Sequence, residues 1–227
     1  MKRFLLVIWG VLSVFLLFAQ KTKFKPELYV GAGGGMIFST VDFVPKVSQN
    51  THNGFQGGVS AKYISEKNLG LILEMNFVQC GWTEDYKNNP EYSYSRTLNY
   101  LEVPFMTHVY FGNKSRFIFN IGPQIGYLLS ESSSMSDALA EYSEQQSTEQ
   151  HAYAVPEERY ENASHKFDYG IIAGIGFALK TGIGDFDLEG RYYFGLGDIL
   201  NNRREDYYSR SAHRIIEAKL TYYLKLL

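Results

Sequence analysis

The stretch Lys166–Phe194, KFDYGIIAGIGFALKTGIGDFDLEGRYYF, decides how the rest of the chain is interpreted. On both sides of the central segment Thr181–Gly184, every second residue is apolar, and the residues between are mostly small or charged. A period of two predicts β-strands with two different faces, and the Gly-rich break predicts a tight hairpin. The apolar face would form the core of a water-soluble sheet, but it would contact lipid in a transmembrane barrel, whose charged face looks inward.

The amino terminus has the order of a secretory signal peptide. A basic pair at positions 2 and 3 precedes an apolar run from Phe4 to Phe18, and a polar, lysine-containing stretch follows Ala19. The run of about 15 apolar residues is shorter than the roughly 20 that a membrane-spanning helix requires. We therefore predict that residues 1–19 are a cleaved signal peptide and that residues 20–227 form one mature β-barrel domain.

Composition narrows the class of protein. The single cysteine, Cys80, excludes an intrachain disulfide and leaves no cysteine beside the signal peptide for a lipid anchor. A net charge of −2 gives no basis for a nucleic-acid partner. The 18 Tyr, 16 Phe and 21 Gly residues favour strands, aromatic girdles at membrane interfaces and tight turns.

Six further segments repeat the two-residue alternation of the hairpin. With the hairpin they give eight predicted strands: Glu27–Phe38, Gly54–Ser65, Leu69–Trp82, Arg96–Phe111, Arg116–Ser130, two within Lys166–Phe194, and one that follows Ser211 and runs to Leu227. Pro104 and Pro123 lie inside two of these strands. Because proline gives up a ladder hydrogen bond, each predicts a local bulge or a strand end.

The connections between the predicted strands alternate in length. Three are turns of a few residues, at 66–68, 112–115 and 181–184; four are long and polar, at 39–53, 83–95, 131–165 and 198–211. An even strand number with short turns at one rim and long loops at the other is the layout of an outer-membrane barrel. Lipid offers no hydrogen-bond partners, so the sheet must close on itself, and eight strands allow this. We predict an all-β fold: an eight-stranded antiparallel up-and-down transmembrane β-barrel with short periplasmic turns, four long extracellular loops and both mature termini in the periplasm.

The inward-facing parity of the predicted strands carries charges of both signs. An eight-stranded barrel is just wide enough for its own side chains, and an unpaired buried charge is costly, so these residues should pair. We expect Glu74, Glu102 and Glu189 to pair with Arg191 and Lys219. The whole predicted interior polar network is Lys62, Glu74, Glu102, Asp168, Asp187, Glu189, Arg191, Glu217 and Lys219. The alternatives to a structural polar core are a path for protons or ions and a site for an interior ligand.

Aromatic residues near the predicted strand ends suit girdles at the two membrane interfaces. We assign Trp82, Tyr127, Tyr192 and Tyr222 to these girdles, and Tyr92, Tyr94, Tyr207 and Tyr208 have similar positions. Their rival role is contact with a partner through the outer rim.

No pattern in the sequence predicts catalysis, a cofactor or a metal site. His151 and His165 lie near three glutamates between positions 157 and 161, but their spacing is irregular and matches no metal motif. The glycine-rich run at 31–35 is followed by neither a helix nor a Lys-Ser/Thr pair, which favours glycine packing in a strand over a phosphate loop. We therefore expect no enzyme activity, no bound cofactor and no metal.

Five short motifs follow one another along the mature chain. They are LEMNF at 73–77, YLEVP at 100–104, NIGPQIGY at 120–127, FDYG at 167–170 with GIG at 174–176, and GRYYFG at 190–195. Each resembles a strand motif of the PorT-like outer-membrane β-barrel family of the Bacteroidetes, and together they cover nearly the whole mature chain. The resemblance implies an eight-stranded outer-membrane barrel, generally without an assigned activity, in a family whose named member takes part in protein secretion and gliding.

Three functional hypotheses follow. The first is a structural or interaction barrel with a plugged polar interior, whose extracellular loops bind a protein partner. The second is a narrow channel for small solutes or ions. The third is a lipid-modifying outer-membrane enzyme or a soluble, lipocalin-like carrier. For the first hypothesis we expect outer-membrane lipid as the surroundings, no nucleic-acid partner and a monomeric state.

Overall fold

The computed structural model describes residues 24–148, 160, 162–204 and 206–226. The expected signal peptide, His151 and the glutamates between 157 and 161 lie outside these residues. Within them, one sheet contains the strands β1 Glu27–Val44, β2 Gln49–Asn50, β3 His52–Glu66, β4 Leu69–Glu84, β5 Tyr94–Gly112, β6 Ser115–Met135, β7 Phe167–Thr181, β8 Gly184–Gly195 and β9 Arg210–Lys225.

The eight long strands close into a barrel. Each pairs antiparallel with the next long strand along the chain, and β1 pairs with β9 from Tyr29 opposite Lys225 to Val44 opposite Arg210. The two-residue strand β2 pairs with the loop end of β4. Closure leaves no unpaired edge along the wall, as lipid requires. The prediction of an eight-stranded antiparallel up-and-down barrel is confirmed.

One parity of the strands carries large apolar side chains that point outward. Val59, Ile175 and Phe177 are 60%, 57% and 67% exposed, whereas the inward residues Glu74 and Asp187 are 2% and 0% exposed. In a protein dissolved in water the large apolar residues are instead the buried ones. The hairpin β7–β8 therefore turns its apolar face away from the barrel and its charged face inward.

Several strands run further toward the long connections than the sequence predicted. β1 continues past Phe38 to Val44, and β4, β5 and β6 are also extended at this end. The alternation persists there, because Val41 and Phe43 are each 3% exposed while Asp42 between them points outward. Polar outward residues hide this alternation in the sequence, so most of the predicted connection 39–53 is strand.

The long connection between β6 and β7 contains a helix, α1 (Asp137–Thr148), that the sequence analysis did not predict. The Ser136 carbonyl accepts hydrogen bonds from the amides of Leu139 and Ala140, at 3.1 and 3.0 Å, and so begins the helix. Leu139 is 3% exposed and anchors the helix to the barrel. Within the described residues, no helix is long and apolar enough to cross a membrane.

Pro104 and Pro123 lie inside continuous strands, so the prediction of a bulge or strand end at each is wrong. The register between β4 and β5 is the same before and after Pro104, and the β6–β7 register runs unbroken through Pro123. Ladder pairs are missing beside both prolines, between β4 and β5 at Pro104 and between β5 and β6 at Pro123, because proline has no N–H to donate. The register shift of β5 against β6 lies instead at Asn99 and Tyr100.

The turn between β7 and β8 is the tight hairpin that the sequence predicted, with Thr181 paired to Gly184. Gly184 has a φ of +143°, and a Cβ at this position would lie 2.5 Å from the Tyr222 ring. A glycine is therefore required by both backbone conformation and space. The Tyr222 hydroxyl donates a hydrogen bond to the Ile183 carbonyl and braces the turn from outside.

Candidate functional site: the closed interior of the barrel

The middle of the barrel holds four ionised side chains, Glu74, Glu189, Arg191 and Lys219, here called the ion-pair layer. Arg191 donates to both oxygens of Glu74, at 2.8 and 2.9 Å, and to both oxygens of Glu189, at 2.9 and 3.1 Å. Lys219 donates to Glu74 at 2.6 Å and to Asn76 at 3.0 Å. All four ionised residues are 2% exposed or less. Two carboxylates and two cations leave the layer electrically balanced.

Strand geometry explains how this layer assembles. Glu189 and Arg191 are two residues apart in β8, so they share the inward face. The neighbouring strand β9 places Lys219 opposite Glu189. Glu74 comes from β4, on the other side of the ring, and crosses the bore to reach Arg191. The cluster therefore ties opposite walls of the barrel together.

The turn end of the bore is filled by a second ion pair and an aromatic cluster. Lys62 donates to Asp187 at 2.8 Å, and its ammonium group lies 3.8 Å from the centroid of the Tyr223 ring, a favourable cation–π contact. The buried cluster around Tyr223 consists of Tyr29, Ile64, Tyr110, Ile118, Ala178 and Tyr223, with Phe24 packed against it. These side chains pack together inside this end of the bore.

Toward the long connections, the interior carries three carboxylates, Glu102, Asp168 and Glu217, here called the acidic layer. Each accepts a hydrogen bond from a neutral side chain: Glu102 from Gln124 at 2.7 Å, Asp168 from Tyr193 at 2.9 Å and Glu217 from Gln56 at 2.9 Å. Among the residues that the structure describes, no Lys or Arg forms a salt bridge with any of the three. Glu217 and Asp168 both repel Glu102 electrostatically.

The acidic layer and its amide donors also carry polar atoms without a partner among the residues that the structure describes. Gln56 Oε1, Gln124 Oε1 and Glu217 Oε1 are buried and accept no hydrogen bond from these residues. A buried acceptor without a partner destabilises the fold because it has lost its hydrogen bonds to water. In the described part of the chain, no three or more His, Cys, Asp or Glu side chains are grouped so as to hold a metal ion.

The loop end of the bore contains a large buried cluster, here called the cap. Its aromatic members are Phe43, Trp82, Tyr94, Tyr100, Tyr193 and Tyr208, and Leu98, Leu128 and Leu139 pack among them. Arg96 crosses the cap and donates to the Tyr94 hydroxyl at 3.0 Å, to Glu131 at 3.2 Å and to the Tyr160 carbonyl at 2.8 Å. The connections between strands are thus folded onto the barrel.

The outer part of the cap joins two of the long connections. The Tyr92 ring lies 5.9 Å from the Tyr86 ring and 5.6 Å from the Tyr142 ring of α1, measured between centroids. The Tyr86 hydroxyl donates to Glu84 at 2.5 Å, and burial together with this carboxylate raises the pKa of the Tyr86 phenol. These contacts hold the segment 85–93 against α1.

The structure places all nine residues of the predicted polar network inside the barrel, each 7% exposed or less. It brings Glu74 and Glu189 onto Arg191, and Lys219 onto Glu74. It does not bring Glu102 to Arg191 or Lys219, although the sequence analysis expected a cation partner for it. Glu102 accepts a hydrogen bond from an amide instead.

The assignment of Trp82 to a membrane interface is wrong. Trp82 is 0% exposed and lies inside the cap, with its ring centroid 5.4 Å from that of Phe43. Its even position in β4, shared with the inward Glu74, was the signal that the sequence analysis overlooked. Tyr94 and Tyr208 are buried in the cap as well, whereas Tyr127 and Tyr192 are 52% and 44% exposed and Tyr222 is part-exposed on the outer wall.

Sequence reasoning also missed the neutral members of the interior network. Asn120 donates to Glu189 at 2.7 Å, and its amide oxygen lies 2.7 Å from His108 Nδ1. The Asn76 amide group donates to Glu74 at 2.9 Å. These residues have the inward parity of their strands. That parity, in a neutral polar residue, is the feature of the sequence that predicts membership of the interior network.

A closed eight-stranded barrel with an apolar outer wall and a polar interior is the architecture of an outer-membrane barrel. The family model of the outer membrane protein beta-barrel domain matches residues 18–201. The match covers most of the chain, which therefore belongs to this family and is an integral β-barrel protein of the bacterial outer membrane. No curated protein matches the chain.

Among solved structures, the chain is similar to Neisserial surface protein A (NspA), at 13% identity and a TM-score of 0.47, with 89% of this chain and 100% of that chain covered. It is similar to Ail of Yersinia pestis in complex with the heparin analogue sucrose octasulfate, at 11% identity and a TM-score of 0.44, with 87% of this chain and 99% of that chain covered. It is also similar to OprG from Pseudomonas aeruginosa, at 8% identity and a TM-score of 0.47, with 87% of this chain and 96% of that chain covered. The family assignment rests on the domain match alone.

Proposed function

We propose that this protein is an outer-membrane barrel with a plugged interior that serves a structural or interaction role through its long loops. The carrying observation is that side chains close the bore at three levels. The aromatic cluster around Tyr223 fills the turn end, the ion-pair layer spans the middle, and the cap covers the loop end. Because the bore is filled in this way, other molecules would contact the surface of the loops.

We further propose that the loops and the cap face the outside of the cell and that both mature termini lie in the periplasm. Short periplasmic turns and longer extracellular loops are the usual arrangement in bacterial outer-membrane barrels. The loop side also offers exposed aromatic surface, such as Tyr207 at 51% exposed, next to the buried Tyr208. Exposed aromatic residues are enriched where proteins bind partners.

The partner we propose is another protein, and a role as an accessory of protein secretion is suggested only by the resemblance of the five motifs to the PorT-like family. The strand motifs themselves do not act on a partner, since several of their residues serve the interior. Glu74 and Arg191 belong to two of these motifs, and both lie in the ion-pair layer. The motifs therefore support the type of barrel, while the loops carry its specificity.

The second candidate function is a narrow channel for small cations. The observation that favours it is the acidic layer, where Glu102, Asp168 and Glu217 have no cationic partner in the described residues. Rings of carboxylates favour cations in channels. A cation would still have to pass the balanced ion-pair layer and the cluster around Tyr223, which is why the plugged barrel is our first candidate.

Single-cysteine labelling on whole cells tests the orientation and the interaction role together. In a Cys80→Ser background, Asn88→Cys in the 85–93 segment and Asn113→Cys in the β5–β6 turn provide a matched pair of exposed positions. A membrane-impermeant maleimide should label Asn88→Cys and leave Asn113→Cys unlabelled. Labelling of the turn variant alone would overturn the proposed orientation.

The same two variants test for a protein partner. A maleimide cross-linker attached at position 88 should give a discrete higher-mass adduct in intact cells, and the same reagent at position 113, applied to opened cells, should not give that adduct. If position 88 yields no adduct beyond that of position 113, the interaction role fails. A heat-modifiable gel shift confirms that each variant is folded before the comparison is made.

A further inference from the structure

A groove of about 1030 Å³ lies on the outer wall of the barrel, at the loop end of β1, β8 and β9. One side of the groove is the segment between β1 and β3, which contains Lys46 and Gln49. The other side is the wall itself, with Arg214, Tyr192 and Ile216. The proposed function does not use this groove.

The chain holds the groove open with specific contacts. The β1–β3 ladder reaches Ser39, opposite His52, and β1 then continues beyond it. Beyond this point Gln49 takes the place of a strand neighbour: its side chain accepts from the Val41 amide at 3.0 Å and donates to the Val41 carbonyl at 2.7 Å. The segment is thereby fixed beside β1.

The upper part of the groove is basic. Asp42 pairs with Arg214 at 2.9 Å and with Arg210 at 3.3 Å, which brings the two guanidinium groups together. Lys46 is exposed on the facing segment. Two guanidinium groups therefore flank one carboxylate beside the groove, and Lys46 adds a third cation on the facing segment. Arg214 is held in place by hydrogen bonds to the carbonyls of Gly195 and His213, at 2.9 and 2.7 Å.

The lower part of the groove is apolar and continues into the lipid-facing wall. Phe38, Ile216 and Tyr192 are neighbours on adjacent strands, since Phe38 pairs with Ile216 and Tyr192 pairs with Ile216. Ile216 is 57% exposed and Tyr192 is 44% exposed. A tyrosine next to cations at a strand end marks the level where the bilayer meets water.

We propose that this groove binds a phosphorylated lipid of the leaflet on the loop side. Its phosphate contacts Lys46, Arg210 and Arg214, and an acyl chain lies along Ile216 and Phe38. Arginine side chains match phosphate oxygens in geometry as well as charge, and basic clusters at the membrane surface attract anionic headgroups. A soluble anion would need only the basic part, whereas the apolar continuation of the groove fits a lipid.

The test is lipid A binding by the folded protein in phosphatidylcholine nanodiscs, followed by native mass spectrometry. Lys46→Gln with Arg210→Gln removes two exposed cations without touching the buried interior. We expect lipid A affinity to fall about tenfold or more, because each cation near the surface contributes on the order of 1 kcal/mol. Lys67→Gln with Lys114→Gln, at the opposite rim, is the charge-matched control and should retain wild-type affinity.

Three outcomes would overturn the proposal. They are equal loss in the two double variants, retention of phosphatidylcholine in place of lipid A in the wild type, and full displacement of lipid A by millimolar inorganic phosphate, which would assign the site to a soluble anion. Arg214→Lys adds a second check, since keeping the charge while losing the bidentate geometry should weaken binding less than the double variant does. None of these outcomes depends on the cross-linking result, so the two proposals fail separately.

Discussion

The ion-pair layer and the acidic layer occupy neighbouring parts of the same bore, but their buried carboxylates are compensated in different ways. In the ion-pair layer, Arg191 and Lys219 neutralise Glu74 and Glu189 with hydrogen bonds of 3.1 Å or less. In the acidic layer, the donors to the carboxylates among the described residues are all neutral. A polar interior therefore does not stabilise the barrel equally throughout. Neutralising one member of a buried ion pair should lower the free energy of unfolding, whereas neutralising a carboxylate that lacks a cation should leave it nearly unchanged or raise it.

The largest expected effect is that of Arg191→Met. This substitution removes the only cation bonded to Glu189 among the described residues and one of the two bonded to Glu74. Breaking a buried pair costs about 3–5 kcal/mol, because a charge is left without compensation. The free energy of unfolding, measured by urea titration in lipid vesicles, should fall by about this amount.

The exposed Arg203 provides the control for this substitution. Arg203→Met should change the free energy of unfolding by no more than about 0.5 kcal/mol. Similar values for the two variants would contradict the view that the ion-pair layer stabilises the barrel.

The next effect concerns the Lys62–Asp187 pair near the turns. Lys62→Met should lower the free energy of unfolding by about 3 kcal/mol. It leaves one buried carboxylate without its cation, whereas Arg191→Met affects two. Adding Asp187→Leu should recover most of the loss, because replacing both partners with apolar groups is often neutral. A double variant no more stable than Lys62→Met would show that the pair contributes more than charge compensation.

The smallest effect separates the two layers most sharply. Glu102→Gln keeps an oxygen that can accept from Gln124 and removes the repulsion from Glu217 and Asp168. We expect it to change the free energy of unfolding by less than about 1 kcal/mol, or to raise it. The same substitution in the ion-pair layer, Glu74→Gln, should lower the free energy of unfolding by about 3 kcal/mol because it breaks two ion pairs. Equal losses would remove the distinction between the layers.

The sequence predicted the barrel because alternation and connection length are local properties. The parity of β7 and β8 alone places Asp187, Glu189 and Arg191 inside, and the structure has them there. Partner choice across the bore is not local. Glu74 reaches Arg191 through ring closure, whereas Glu102, with the same parity, has no such partner in the part of the chain that the structure describes.

Strand ends and the cap were harder to predict for a different reason. Above the lipid band, outward residues such as Asp42 are polar, so a strand looks like a loop. Trp82 illustrates the opposite error, because an aromatic residue near a strand end fits both a girdle and a buried cap, and only its parity separates them. Asn120 carries no charge, so its inward parity is the only feature of the sequence that marks it as a member of the network.

Planar-bilayer conductance of the purified wild-type protein, checked for folding by a heat-dependent gel shift, tests the central claim most directly. The closed bore predicts a baseline without steady conductance steps, since the cluster around Tyr223, the ion-pair layer and the cap lie in series. The variant Glu74→Ala/Arg191→Ala removes the two side chains that meet across the middle of the bore, and it should still show no steady conductance because both end clusters remain. A steady, sizeable conductance from the wild-type protein would contradict the plugged interior and favour the cation channel.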